Sequence, residues 1–250
     1  MAVAADIFTT FTPFGGVHLL VVAIILALSA WAVRHRASLT AEPARLKFDK
    51  TLVVAGFLLV VANQATELVP WRFELNRSLP IHICDLVGLA APLAILTHHR
   101  VWRAMLFYWG IGLSTQALIT PELQVGLGGF TFWVFWIPHG MIIMLAIYDL
   151  LVFRYRPTWR DYGIALITLM IYVAVVLPID LWLDVNYGFV GKGTPGQVSV
   201  IDFLGPWPQR LVKLCVGVIV FLATLTLPFV LARRLRQARP EGLIAEASPP

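Results

Sequence analysis

Charge is scarce in this sequence. Of its 250 residues only 13% are Asp, Glu, Lys or Arg, whereas 59% are hydrophobic and the mean hydropathy is +0.80. Soluble domains carry about 25% charged residues, so an ordinary soluble chain is excluded and an integral membrane protein is expected. Cysteine is scarce too. Cys84 and Cys215 both fall in apolar segments, which excludes a disulfide framework. The first 15 residues carry no basic side chain and one acid, Asp6, so they lack the n-region of a cleavable signal peptide. The first apolar run is therefore read as retained. There is no internal repeat and no HExxH-type metal motif. The net charge of +5 does not point to nucleic acid; its distribution matters more, because basic residues set membrane orientation.

What is present is a series of long apolar runs. A span needs about 20 mostly apolar residues. Seven runs qualify: 16–33, 51–68, 80–97, 101–119, 130–153, 162–183 and 208–232. Arg34, Arg36, Arg45, Lys47 and Lys50 fall between the first two, and Arg100 and Arg103 between the third and fourth. Arg154, Arg156 and Arg160 precede the sixth; Arg233, Arg234, Arg236 and Arg239 follow the seventh. Only Arg72, Arg77, Lys192, Arg210 and Lys213 fall on the other side. This asymmetry puts the N-terminus outside and the C-terminus in the cytoplasm. The expected architecture is all-α: a polytopic bundle of seven transmembrane helices forming one domain over 1–236, with 237–250 a disordered cytoplasmic tail. Trp71, Trp102, Trp109, Trp159, Trp182 and Trp207 lie near span ends, as an aromatic belt would. Gly and Pro crowd residues 184–207, predicting an external loop that covers something.

The polar residues collect at one depth. The cytoplasmic halves of the spans read as nearly pure Val, Leu, Ile, Ala and Phe. The external halves carry Asn63, Gln64 and Glu67; His82, Cys84 and Asp85; Ser114, Thr115 and Gln116; Asp180, Asp184, Asn186 and Tyr187; and His18. His139 lies about 13 Å into the fifth span at 1.5 Å per residue. Ionisable groups inside a span are a functional-site hypothesis by default, and a buried cluster open to the outside explains them together. His82 and Asp85, at i and i+3, would share a helical face, with Pro80 in the first turn. Cys84 lies about 200° round the helix from His82, so a nucleophilic Cys84 would need its base from another span, and His139 is the candidate. Each residue also has a structural reading. Glu67 pairs with Arg72 or Arg77; His82 and Asp85 clamp helices; His139 caps a carbonyl freed by Pro138; Cys84 and Cys215 pack as small apolar groups.

Leu-Pro-Ile-His-Ile-Cys-Asp-Leu at 79–86, Pro-His-Gly at 138–140, Arg-Pro-Thr-Trp-Arg at 156–160, Asn-Tyr at 186–187 and Leu-Gly-Pro-Trp-Pro at 204–208 occur in this order. Together they resemble the YwaF-like family of bacterial seven-span membrane proteins, from the second span to the seventh. That family is distantly similar to the eukaryotic transmembrane-protein-164 acyltransferases, which move fatty acyl chains between phospholipids. The resemblance implies a multi-pass protein of the bacterial plasma membrane, acyl transfer on a lipid substrate, and a Cys–His pair. The motif His falls on His82 and the downstream His on His139. In the eukaryotic proteins the reactive Cys stands immediately before the motif His; here Ile81 holds that place, and Cys84 follows His82 by two residues.

Three readings follow. The first is acyl transfer or ester hydrolysis on phospholipid at the external leaflet. His82 oriented by Asp85, or else His139, acts as general base on Cys84 or on the acceptor hydroxyl; Asn63, Gln64 or Gln116 supply oxyanion donors. Glu67, Asn186 and Tyr187 complete the candidate substrate-binding set, and no cofactor is required. The second is an intramembrane zinc hydrolase with His82, Asp85, His139 and Glu67 or His18 as ligands. The third is a non-enzymatic binder or transporter of a small solute or lipid.

Overall fold

A computed structural model describes residues 7–192 and 200–237. The chain folds into α1 (Gly16–Ser38), α2 (Glu42–Glu67), α3 (Ile83–Thr97), α4, α5 (Phe130–Leu151), α6 (Trp159–Leu183) and α7 (Gln209–Gln237). Helix α4 opens as an α-helix at Arg100–Met105, runs on as a π-helix over Leu106–Ser114 and closes with one α-turn, Gln116–Ile119. Among the described residues no strand forms; an isolated antiparallel bridge pairs Thr10 with Val125. Four helices, α1, α5, α6 and α7, are long and apolar enough to cross a membrane. Their outer faces carry Leu19, Leu20 and Ile24, then Ile167, Met170 and Ile171, then Val212, Val216 and Ile219, all exposed. Apolar faces of this extent are not tolerated in water, and they make the chain a helical membrane protein. Cys215 belongs to such a face on α7 and is exposed, so it does not pack inside as expected. The tail expected beyond α7 lies, from residue 238, outside the described residues, as does the middle of the expected 184–207 loop.

Helix α3 is the hub. It packs against α2, α4 and α5, and its inward positions are mostly small: Ala90, Ala91 and Ala94 are buried beside Val87. Small residues let helix backbones approach closely where lipid gives no hydrophobic drive between helices. Gly56 on α2 makes the same contact from the other side: a Cβ there would meet Pro92 Cβ at 3.2 Å. Helix α4 is buried along most of its π-helical stretch, where Tyr108 and Trp109 are nearly inaccessible. Trp109 was expected in an interfacial belt. It is instead a core residue, its indole N–H donating to the Ala165 carbonyl at 3.2 Å. Trp71 and Trp182 are exposed, as belt residues are.

The end of the bundle expected to be nearly all apolar carries buried charge. Asp49, Asp149 and Asp161 are all buried there. Arg36 reaches Asp49 at 3.1 Å, and Tyr148 donates its hydroxyl proton to the same carboxylate. Arg103 donates to Asp149 at 2.9 Å and packs over the Tyr155 ring. Arg100 donates to Asp161 at 2.6 Å, while Asp161 and Thr158 cap the first turn of α6 reciprocally. The aspartates lie in runs read as apolar, or at their edges, and the arginines were assigned to loops. Only folding brings the two sets together. A buried pair of this kind adds little net stability, but breaking it strands a charge.

Candidate functional site

Helix α3 was expected to begin near Pro80. It begins at Ile83, with His82 as its extended N-cap, φ −65° and ψ 150°. Pro80 therefore lies in the turn before the helix. The Asp85 carboxylate accepts a hydrogen bond from the His82 backbone N–H at 3.0 Å, satisfying one of the orphan donors at a helix start. This corrects the expected side-by-side pair: Asp85 holds the backbone of His82 rather than its ring. The His82 ring lies against the Arg77 backbone carbonyl and tilts onto Tyr187, with ring centroids 4.5 Å apart.

Because His82 is outside the helix, Ile83 and Cys84 form its first turn and Cys84 points across to α4 and α5. Its thiol donates weakly to Ser114 Oγ at 3.7 Å, at the last residue of the π-helical stretch. On the other side it faces the His139 imidazole, near enough for the two side chains to interact. His139 owes its setting to Pro138, which cannot donate to the preceding turn and so loosens the helix there. His139 Nδ1 is 2.6 Å from the Phe135 carbonyl, and the Phe135 ring stacks on the imidazole at 4.5 Å. A carbonyl only accepts, so Nδ1 carries a proton, and whenever the ring is neutral its lone pair is on Nε2. The imidazole is thus held by the Phe135 carbonyl one turn back, next to the proline kink, and faces a thiol.

The remaining candidates separate into scaffold and rim. Glu67 pairs with Arg72 and Arg77 at 3.8 and 3.7 Å. Gln64 donates to the Ser78 carbonyl at 2.9 Å. Tyr187 donates its hydroxyl to the Leu75 carbonyl at 2.7 Å and accepts from the Leu79 N–H at 3.0 Å. These bonds shape segment 68–82 into the wall leading to α3. Burial pushes the Tyr187 phenol above its usual range, which keeps it a neutral donor. Asp180 accepts from the Tyr187 N–H at 2.9 Å and so places that ring. Asn63 and Asn186 each keep a buried side-chain oxygen without a hydrogen bond. Gln116 is exposed. Two residues were not singled out from sequence as site residues: Ser114 beside the thiol, and Tyr172, which donates to the Ile81 carbonyl at 2.9 Å. A hydroxyl in a long apolar run carries no signal of its partner until the helices are assembled.

The sequence profile of the TMEM164 family matches residues 11–227, from the N-terminal segment into α7. The chain belongs to the TMEM164 family. An uncharacterized protein of Treponema pallidum (strain Nichols) is 25% identical over 189 residues, covering 73% of this chain and 76% of that relative. No solved structure matches the chain significantly.

In this TMEM164-family chain the donor set does not suit a metal. Among the described residues no three His, Cys, Asp or Glu side chains converge as a metal-ion site. His18, one expected ligand of the zinc reading, is committed at both nitrogens: Nδ1 accepts from the Phe14 N–H at 2.7 Å and Nε2 donates to the Leu118 carbonyl at 2.6 Å. It is a buried core histidine among Phe11, Phe14 and Trp136. Glu67 is engaged by two arginines and Asp85 by the α3 cap.

Proposed function

We propose that this protein transfers acyl groups on membrane lipid, with Cys84 as nucleophile and His139 as its base. The observation that carries this reading is the Cys84–His139 pair with the histidine tautomer fixed by the Phe135 carbonyl. A nucleophile, a base within reach and a group orienting the base are the elements that thiol catalysis requires. His139 Nε2 takes the Sγ proton as the thiolate attacks the ester carbonyl of a lipid. The C–O bond to the glycerol oxygen then breaks, and that oxygen leaves with the proton from His139. A thioester remains on Cys84. An acceptor hydroxyl next gives its proton to His139 and attacks the thioester; the C–S bond breaks and the proton returns to sulfur. With water as acceptor the same steps are hydrolysis. Ser114 is placed to donate to the developing oxyanion, and His82 with Tyr187 lines the approach.

In the same reading the chain crosses the plasma membrane seven times, with its N-terminus outside and the site opening to the external leaflet. Helix α2 and the two shorter elements α3 and α4 supply the spans beyond the four long helices. Helix α3 has 15 residues, which is about 22 Å at 1.5 Å per residue and short of the roughly 30 Å hydrocarbon core. The non-helical 78–82 segment makes up the difference. Such backbone is tolerated at membrane depth only when it is buried in protein or lines a cavity, which is where an acyl-transfer site would lie.

The test uses the full chain reconstituted in vesicles with a phospholipid bearing a labelled acyl chain and a lysophospholipid acceptor. Label is expected to move to the acceptor with the wild type, and neither Cys84→Ala nor His139→Ala is expected to support it. Transfer at the wild-type rate in either variant would refute the assignment.

A further inference from the structure

Segment 68–82 carries an arrangement that holding the loop does not explain. Arg72 and Arg77 share one carboxylate, Glu67, at distances longer than hydrogen bonds, 3.8 and 3.7 Å. Arg77 also meets Glu74 at 3.3 Å, but Glu74 is well exposed, so water screens that pair. Arg72 Nε is buried with no acceptor, and Arg72 Nη2 and Arg77 Nε, also buried, face carboxylate oxygens at 3.8 and 3.3 Å without hydrogen-bond geometry. Buried guanidinium N–H groups without acceptors are costly, and planar N–H forks suit phosphate oxygens in particular. The Arg72 guanidinium is held over the Phe130 ring at 4.8 Å, at the start of α5, the helix that carries His139. The Arg77 backbone carbonyl lies against the His82 ring. Trp71 next to them is 86% exposed, as an indole at headgroup level is.

We propose that Arg72 and Arg77 form a phosphate subsite at the rim of the Cys84–His139 site, with Glu67 as a built-in competitor that holds the forks until a phosphate displaces it. The proposal deepens, and rests on, the acyl-transfer reading: it selects lipids with a phosphate next to the glycerol over neutral glycerides. A phosphate oxygen pair supplies acceptors in hydrogen-bond geometry, which the carboxylates here do not. The subsite also sets how deep the glycerol esters reach, since the headgroup is caught on the wall that leads to His82.

The experiment measures binding of two probes to the full chain in detergent micelles: a fluorescent phosphatidylcholine and a diacylglycerol with the same labelled chain. The wild type is expected to favour the phospholipid by about tenfold or more, the worth of one charge-assisted contact. Arg72→Gln with Arg77→Gln is expected to bring the two probes within about threefold of each other. Glu67→Gln is expected to act in the opposite direction and tighten phospholipid binding. A purely structural ion pair would predict loosening instead, so this variant decides the matter even if the double variant does not fold. Inorganic phosphate as competitor separates the sources: displacement of the lipid means that free phosphate also occupies the subsite, and no displacement means that only lipid-borne phosphate does. Equal binding of both probes to the wild type, or weaker binding by Glu67→Gln, would overturn the proposal. Phospholipid preference retained in Cys84→Ala, with no transfer by the wild type, would leave the subsite standing and remove the acyl-transfer reading. Equal transfer from phospholipid and diacylglycerol would do the reverse.

Discussion

Replacing His139 by Ala is the sharpest test of the proposed site, because among the described residues no other group beside Cys84 is placed to act as its base. Ser114, 3.7 Å from the thiol, is a neutral hydroxyl and not a base. Asp85 is occupied by the His82 N–H, and His82 is turned to Arg77 and Tyr187. General-base catalysis contributes roughly 10²–10⁴-fold, which is about 3–5 kcal/mol at 1.36 kcal/mol per tenfold. With no second base in reach among the described residues, the loss is expected in the upper half of that range. Folding suffers much less. The variant gives up one hydrogen bond to the Phe135 carbonyl, worth about 1 kcal/mol, and the Phe135 stacking. The assay is trapping of the intermediate. Purified protein is mixed with a phospholipid bearing an alkyne-tagged acyl chain, quenched at intervals and scored for label that neutral hydroxylamine removes. The wild type is expected to accumulate such label within turnovers, the His139→Ala variant at least about 10³-fold more slowly, and the Cys84→Ala variant none. Thioester label persisting in Cys84→Ala, or a His139→Ala rate within about threefold of the wild type, would refute the pairing as catalysis.

Two further predictions concern the scaffold. Tyr187→Phe deletes the hydroxyl that bridges the Leu75 carbonyl and the Leu79 N–H; it is expected to cost about 1–3 kcal/mol and to speed amide hydrogen exchange over 75–82 while α3 beyond Val87 stays protected. Arg103→Ala leaves the 2% exposed Asp149 without its cation; a loss of about 3–5 kcal/mol should appear as a lower thermal midpoint in detergent, and Asp149→Asn combined with it should recover part of that loss.

Much of the class was legible without coordinates. Long apolar runs and few charges dictate membrane helices, because backbone polar groups in hydrocarbon must be satisfied within the segment. The polar layer around 63–67, 82–85, 114 and 180–187 was legible for the same reason, since such groups are costly in lipid and stand out. His139 stood out in the sequence beside Pro138, and the structure places its Nδ1 on the Phe135 carbonyl and its ring toward Cys84. The opposite polar layer was missed. Asp49, Asp149 and Asp161 stand among or beside apolar residues, and their partners Arg36, Arg100 and Arg103 were read as loop charges that set orientation.

The sequence alone determined that this chain is a helical membrane protein, and which short stretches carry its ionisable groups. These follow from local chemistry: hydropathy over about 20 residues, and the cost of each polar side chain in lipid. Partners it gave only in part: Glu67 with Arg72 and Arg77, and Cys84 with His139, were named and are found together, whereas His82 with Asp85 was not. Spacing suggested His82 with Asp85, because i and i+3 share a face in a helix that was assumed to begin at Pro80. The real helix begins three residues later, so Asp85 turns to the backbone it caps, and Cys84 turns to Ser114 and His139. Where a helix starts is decided by what the preceding segment can bond to. Here that is Tyr187 and Tyr172, far along the chain, and Gln64 on the preceding helix. Their convergence on residues 78–81 is a property of the assembled bundle alone.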